Sequence, residues 1–125
     1  MINVGLDYGG REYVPIPLPI ISGTNITEVM NCAFCENLFL QVTIGGLGSG
    51  ESLDLTVEGS LTGDSAEFDN LSATDETTTV STNGANIIRF PGAITPYVRV
   101  VINGWLGSEV SEATYSIVAY VARMS

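Results

Sequence analysis

The sequence predicts an all-β fold, an antiparallel two-sheet sandwich or jelly roll of about seven to eight strands behind an extended N-terminal arm. Three observations lead there. Apolar residues recur with period two in several segments, Gly, Asn, Asp and Ser punctuate those segments, and no stretch carries the three-to-four residue periodicity of a helix. Ser, Thr, Asn and Gly supply most of the polar surface, which suits exposed strands and turns.

The chain divides into an arm, residues 1–19, and a β-sandwich domain, residues 20–125. In the arm, Gly5, Gly9, Gly10, Pro15, Pro17 and Pro19 oppose regular structure, and Val14-Pro15-Ile16-Pro17-Leu18-Pro19 favours an extended, polyproline-like course. Such a segment is disordered unless something holds it. Tyr8, Tyr13, Val14, Ile16 and Leu18 are therefore the candidate contacts through which the arm docks on a neighbouring copy. Packing on its own domain is the alternative.

Ile20–Ser22 and Ile26–Asn31 are candidate edge strands. The next segment, Asn37 to Ile44, places Leu38, Leu40, Val42 and Ile44 on one face and Phe39, Gln41 and Thr43 on the other. Gly45 to Gly50 then reads as a hairpin turn. From Ser52 to Leu61, Leu53, Leu55 and Val57 point inward while Asp54, Thr56 and Glu58 point to solvent. Thr62 to Thr77 is polar and acidic and reads as a long loop, with Phe68 and Leu71 as anchors. Short strands at Thr78–Ser81 and Asn86–Phe90 flank an Asn83-Gly84 turn signal. Tyr97 to Asn103 is a further strand, and Ala113 to Arg123 completes the set with apolar residues on both faces, as expected of a central or covered strand.

Size and composition narrow the function. A chain of 125 residues suits one domain and buries about two-thirds of its unfolded surface, so no disulfide or metal is required for stability. Charged residues make up 14%, against about a quarter in soluble domains, which leaves neutral surface available for burial between subunits. With 14 Asp and Glu against 4 Arg, no Lys and no His, the net charge is -10. Nucleic acid and anionic membrane are thus poor partners, because Arg11, Arg89, Arg99 and Arg123 are too few and scattered to neutralise phosphates. No run approaches the roughly 18 apolar residues of a membrane helix, and no basic segment precedes an apolar core, so synthesis in a cytoplasm is expected.

Chemistry-bearing patterns are weak. Cys32-Ala33-Phe34-Cys35 has zinc-knuckle or redox spacing, yet there is no second pair, no histidine and no βαβ context. Ordinary half-buried cysteines are the plain reading; inter-subunit thiols at Cys32 and Cys35 are the alternative in an oxidising setting. Asp54 with Glu58, or Asp69, Asp75 and Glu76, supply carboxylates, but no spacing singles out an acid/base pair. Solvated acidic loops are expected there, with Ca²⁺ binding the alternative. Without His a Ser or Thr nucleophile lacks its commonest base. Asn25-Ile26-Thr27 and Asn70-Leu71-Ser72 match glycosylation sequons, motifs too short to carry weight alone. Trp105, after Gly104 at a strand end, caps the core or serves as a ligand or interface residue. No enzyme and no cofactor is expected.

The run Leu53-Asp54-Leu55-Thr56-Val57-Glu58-Gly59-Ser60-Leu61-Thr62-Gly63, followed by Thr95-Pro96-Tyr97-Val98-Arg99-Val100, resembles small β-sandwich virion proteins of tailed bacteriophages, capsid decoration (cement) proteins among them. The resemblance spans roughly residues 37 to 123. It implies a virion-surface subunit, commonly a trimer, whose partners are its own copies and a major capsid protein lattice. It brings no catalytic residues, and the arm and the two cysteines lie outside its pattern. Two other readings stand beside it: an extracellular fibre subunit that polymerises by N-terminal arm exchange, and a tail or carbohydrate-binding module using Trp105 and the 62–77 loop.

Overall fold

A computed structural model describes residues 1–3, 14–32, 35–71, 78–106 and 113–123. It contains β1 (Ile2–Asn3), β2 (Val14–Pro17), β3 (Met30–Asn31), β4 (Cys35–Gly45), β5 (Ser52–Ser60), β6 (Asp69–Asn70), β7 (Thr78–Val80), β8 (Gly84–Ala93), β9 (Tyr97–Leu106) and β10 (Thr114–Arg123). One 3-10 turn, Ser65–Glu67, is the only helical element among the described residues, and the Asp64 carboxylate caps it by accepting from the Ala66 N–H.

Strands β2-β10-β4-β8 form an antiparallel sheet in that order. The second sheet runs β1-β3-β9-β5-β6, with β7 also on β5, and is antiparallel except for the two-residue β1·β3 pairing. The pairings are nested: β2 with β10, β3 with β9, β4 with β8, and β5 with β7. From β2 onward the chain changes sheet at every connection except those joining β5, β6 and β7. With β6 and β7 taken as one interrupted strand, this is the eight-strand wrapping of a jelly roll.

Two turns expected to close hairpins instead carry the chain between layers. Gly46 and Gly50 (φ 78° and 77°) reverse the chain after β4, but both edges of β4 are already held by β10 and β8, so β5 joins the other sheet. Likewise Gly84 (φ 93°) starts β8 in the four-stranded sheet, whereas β7 pairs with β5. Asn83 then ties the two corners together. Its side-chain amide donates to the Leu47 carbonyl and its oxygen accepts from the Leu47 N–H, both at 2.9 Å.

The alternation expected of β4 and β5 holds. Leu38, Leu40, Val42, Ile44, Leu53, Leu55 and Val57 are all buried, and they meet Val98, Val100 and Ile102 of β9 and Ile117, Ala119 and Val121 of β10 between the layers. Fully burying such a side chain is worth about 1.5–3 kcal/mol. Strand β10 lies between β2 and β4; Ile117, Ala119 and Val121 on its inner face join the core, while Val118 and Tyr120 on its outer face are half-buried. Thr27 is buried within this core; its hydroxyl accepts from the Val100 N–H at 2.9 Å and donates to the Glu28 carbonyl at 3.1 Å, stitching the 20–29 segment to β9.

The arm's second half belongs to this domain. Ile16 and Leu18 are buried in the core, and the Leu18 N–H donates to the Ile117 carbonyl at 2.9 Å. Since backbone N–H direction alternates along a strand, the positions of Pro15 and Pro17 face away from β10, where no donor is needed. A segment expected to be polyproline-like is thus a proline-blunted edge strand. At the other end of the arm, the Ile2 N–H donates to the Val29 carbonyl at 2.8 Å, and the terminal amine lies 3.3 Å from the Glu28 carboxylate.

Candidate functional site

The two sheets present opposite kinds of outer surface. On the six-stranded sheet, Glu58 pairs with Arg99 at 2.8 Å, and the Arg99 guanidinium lies 4.0 Å over the Phe68 ring. The Asn103 amide donates to Thr56 at 2.9 Å and to Asp54 at 3.4 Å, and the Thr79 hydroxyl donates to Asp54 at 3.2 Å. Asp54 and Glu58 are four residues apart on β5, so their backbones stand about 13 Å from each other, beyond the ~5–9.5 Å of glycosidase carboxyl pairs. They are joined to polar neighbours in a ladder and do not converge. Asp69 is exposed on β6, while Asp75 and Glu76 lie outside the described residues. Among the described residues no group of three or more His, Cys, Asp or Glu comes together.

The outer face of the four-stranded sheet is neutral and partly aromatic. Strand register lays its side chains in rows: Pro17, Val118, Gln41 and Ile87 in one, Pro15, Tyr120, Phe39 and Arg89 in the next. The Arg89 guanidinium sits 6.0 Å over the Phe39 ring. Between the rows, Phe39, Gln41, Ile87 and Tyr120 line an open depression of about 410 Å³. Ile87 is 68% exposed. Of the chain's 14 carboxylate residues only Glu36 falls within β2, β4, β8 or β10. Glu28, Glu51, Asp54, Glu58, Asp64, Glu67 and Asp69 lie in the other sheet and its connections. Among the described residues, the strands of this sheet therefore carry one carboxylate residue against seven in the other sheet and its connections.

Trp105 does not lie on either outer face. A bulge places Asp54 opposite Gly104 and Leu55 opposite Ile102, so Asn103 is the extra residue on β9. The bulge reverses the alternation beyond it and turns Trp105 toward the core, where its ring meets Tyr115 edge-on with centroids 5.8 Å apart. Because Trp105 is on β9 and Tyr115 on β10, the pair closes one end of the gap between the layers. Burial pushes the Tyr115 hydroxyl above its usual pKa. The folded state favours the neutral phenol, and the unfolded chain loses its proton first. This group's stabilisation is fully present below about pH 10 and is lost as pH rises through the raised folded value. In urea titrations at alkaline pH, Tyr115→Phe should lose stability less steeply with pH than the parent; identical slopes would contradict this placement.

The other residues singled out from sequence are dispersed. Cys32 is 1% exposed and its N–H donates to the Pro96 carbonyl at 2.5 Å, so in the folded chain its sulfur is not accessible to a neighbour's thiol. Cys35 opens β4. Its side chain, that of Val14, and the whole of Tyr8 and Tyr13 lie outside the described residues. Phe68 and Leu71 do anchor the acidic connection, Phe68 beneath Arg99 and Leu71 through an N–H donated to the Val57 carbonyl at 2.8 Å.

No family model, curated protein or solved structure matches this chain.

Proposed function

We propose that this chain is a non-catalytic structural subunit of a viral particle, a capsid decoration (cement) protein that lies against a shell through the outer face of its four-stranded sheet. One observation carries the proposal: among the described residues, seven of eight carboxylate residues lie in the six-stranded sheet and its connections, while the other sheet offers a face with half-buried Phe39 and Tyr120 around a shallow depression. Interface centres are depleted of charge and enriched in aromatic residues and Arg, the character of the Pro15, Tyr120, Phe39, Arg89 row. The jelly-roll order of strands supports the reading by analogy, since viral capsid domains recur in that architecture and fold alone does not define function.

The contact assigned here differs from the arm expected from sequence, because Ile16 and Leu18 serve the chain's own core. An affinity tag after Ser125, used to recover the chain from its source for sedimentation and negative-stain imaging, tests the proposal. Recovery on large shells carrying many copies is the expected result; a chain that sediments alone, or on filaments, overturns it.

A further inference from the structure

The four sheet edges are protected unequally. An unpaired strand edge is a template for another strand, and folded proteins blunt such edges by shortness, proline or charge. In the six-stranded sheet the outermost strands have two or three residues: β1 at one side, β6 and β7 at the other. In the four-stranded sheet β2 is four residues long with prolines at its outward positions. The remaining edge, β8, has ten residues, and β4 is its only sheet partner among the described residues. From Gly84 to Phe90 it contains no proline and a single charge, Arg89. Ile87, at the middle of that stretch, is the most exposed of its large apolar residues.

From this asymmetry we infer that β8 is a self-association edge, which pairs antiparallel with β8 of a second copy across a two-fold axis centred on Ile87. The sequence of β8 suits its own reverse. In that register Ile87 meets Ile87 of the second copy, Ala85 meets Arg89 and Asn86 meets Ile88, so no like charges stand opposite one another. Two molecules of net charge -10 repel, and among the described residues the strands of this sheet, with one carboxylate residue, add least to that repulsion.

The pairing would also join the two neutral faces side by side. With strands about 4.8 Å apart and a rise of about 3.3 Å per residue, one four-stranded face of some eight-residue strands covers about 500 Å², below the ~800 Å² per partner of a standard interface. Two faces in one continuous sheet cover about 1,000 Å². The self-pairing stands on the edge geometry alone and is testable with the purified chain, whether or not a shell is its partner.

Sedimentation velocity of the parent chain from micromolar to submillimolar concentration should show a concentration-dependent monomer–dimer equilibrium. Ile87→Lys and Ile87→Glu each bring like charges together across the axis, and each alone should weaken dimerisation about tenfold or more. An equimolar mixture of the two variants should recover association as a heterodimer. Circular dichroism of both variants should match the parent, because the replaced side chain is exposed. A parent chain monomeric throughout overturns the inference. So does dimerisation undiminished in both variants, or a mixture that associates no better than its components.

Discussion

Ile16→Ala and Leu18→Ala should each destabilise the domain by about 2–5 kcal/mol, as large-to-small changes in a packed core do. Both side chains are almost fully buried, at 3% and 4% exposure, and both belong to the principal core cluster. Ile16 lies in β2, whose only sheet partner among the described residues is β10, and Leu18 follows that strand with its N–H on the Ile117 carbonyl. The adjacent Pro15 and Pro17 are exposed, and Pro15→Ala or Pro17→Ala should cost far less, chiefly through greater freedom of the unfolded chain. Urea unfolding of the four variants separates the alternating positions. A cost below about 0.5 kcal/mol at both Ile16 and Leu18, the level of ordinary surface substitutions, would mean that the segment is not part of the core.

The double substitution Phe39→Asp with Tyr120→Asp should leave the fold intact and remove the chain from its assembly. Both residues occupy the outer face on adjacent strands, directly paired in the β4·β10 ladder, and neither belongs to the core cluster. Two carboxylates in an apolar contact must be desolvated without partners, at a cost of several kcal/mol each, enough to lower occupancy by orders of magnitude. An equal charge change at exposed positions beside the acidic sheet, Ser65→Asp with Ala66→Asp, serves as the control and should leave particle association largely unchanged. Quantifying the tagged chain on sedimented shells compares the two. Equal loss in both would point to general repulsion and not to a specific face.

Much of the architecture was legible in sequence because β4 and β5 alternate cleanly: Leu38, Leu40, Val42, Leu53 and Leu55 are fully buried in the positions their period-two spacing assigns. Turn signals were legible as reversals and misleading as pairings. Gly46, Gly50 and Gly84 supply the positive φ that a corner between sheets needs as much as a hairpin does, and only the occupied edges of β4 decide between them. Two local events hid the rest. The bulge at Asn103 turns Trp105 from the parity of Arg99 and Val101 to that of the core, an inversion that counting residues cannot foresee. In Val14-Pro15-Ile16-Pro17-Leu18-Pro19 the prolines argue against a strand, yet their alternation is what an edge strand tolerates when every missing donor faces outward.

The neutral face was the least legible feature. Its rows combine residues far apart in the chain, as in Pro17, Gln41, Ile87 and Val118, and they meet only once the strand order β2-β10-β4-β8 is known. Part of the signal was nonetheless present. Strand β10 is apolar on both faces, and β2, β4, β8 and β10 are nearly devoid of Asp and Glu in a chain that has 14 of them.

A chain attached to a shell through the outer face of its four-stranded sheet should turn its acidic sheet outward. Single-particle electron microscopy of the tagged assembly, at a resolution that orients the two sheets, tests it most directly. Shell density against the Phe39, Val118 and Tyr120 surface, with the Glu58–Arg99 ladder facing solvent, is the predicted result. Density against the six-stranded sheet, or an assembly in which this chain touches no shell, would contradict it.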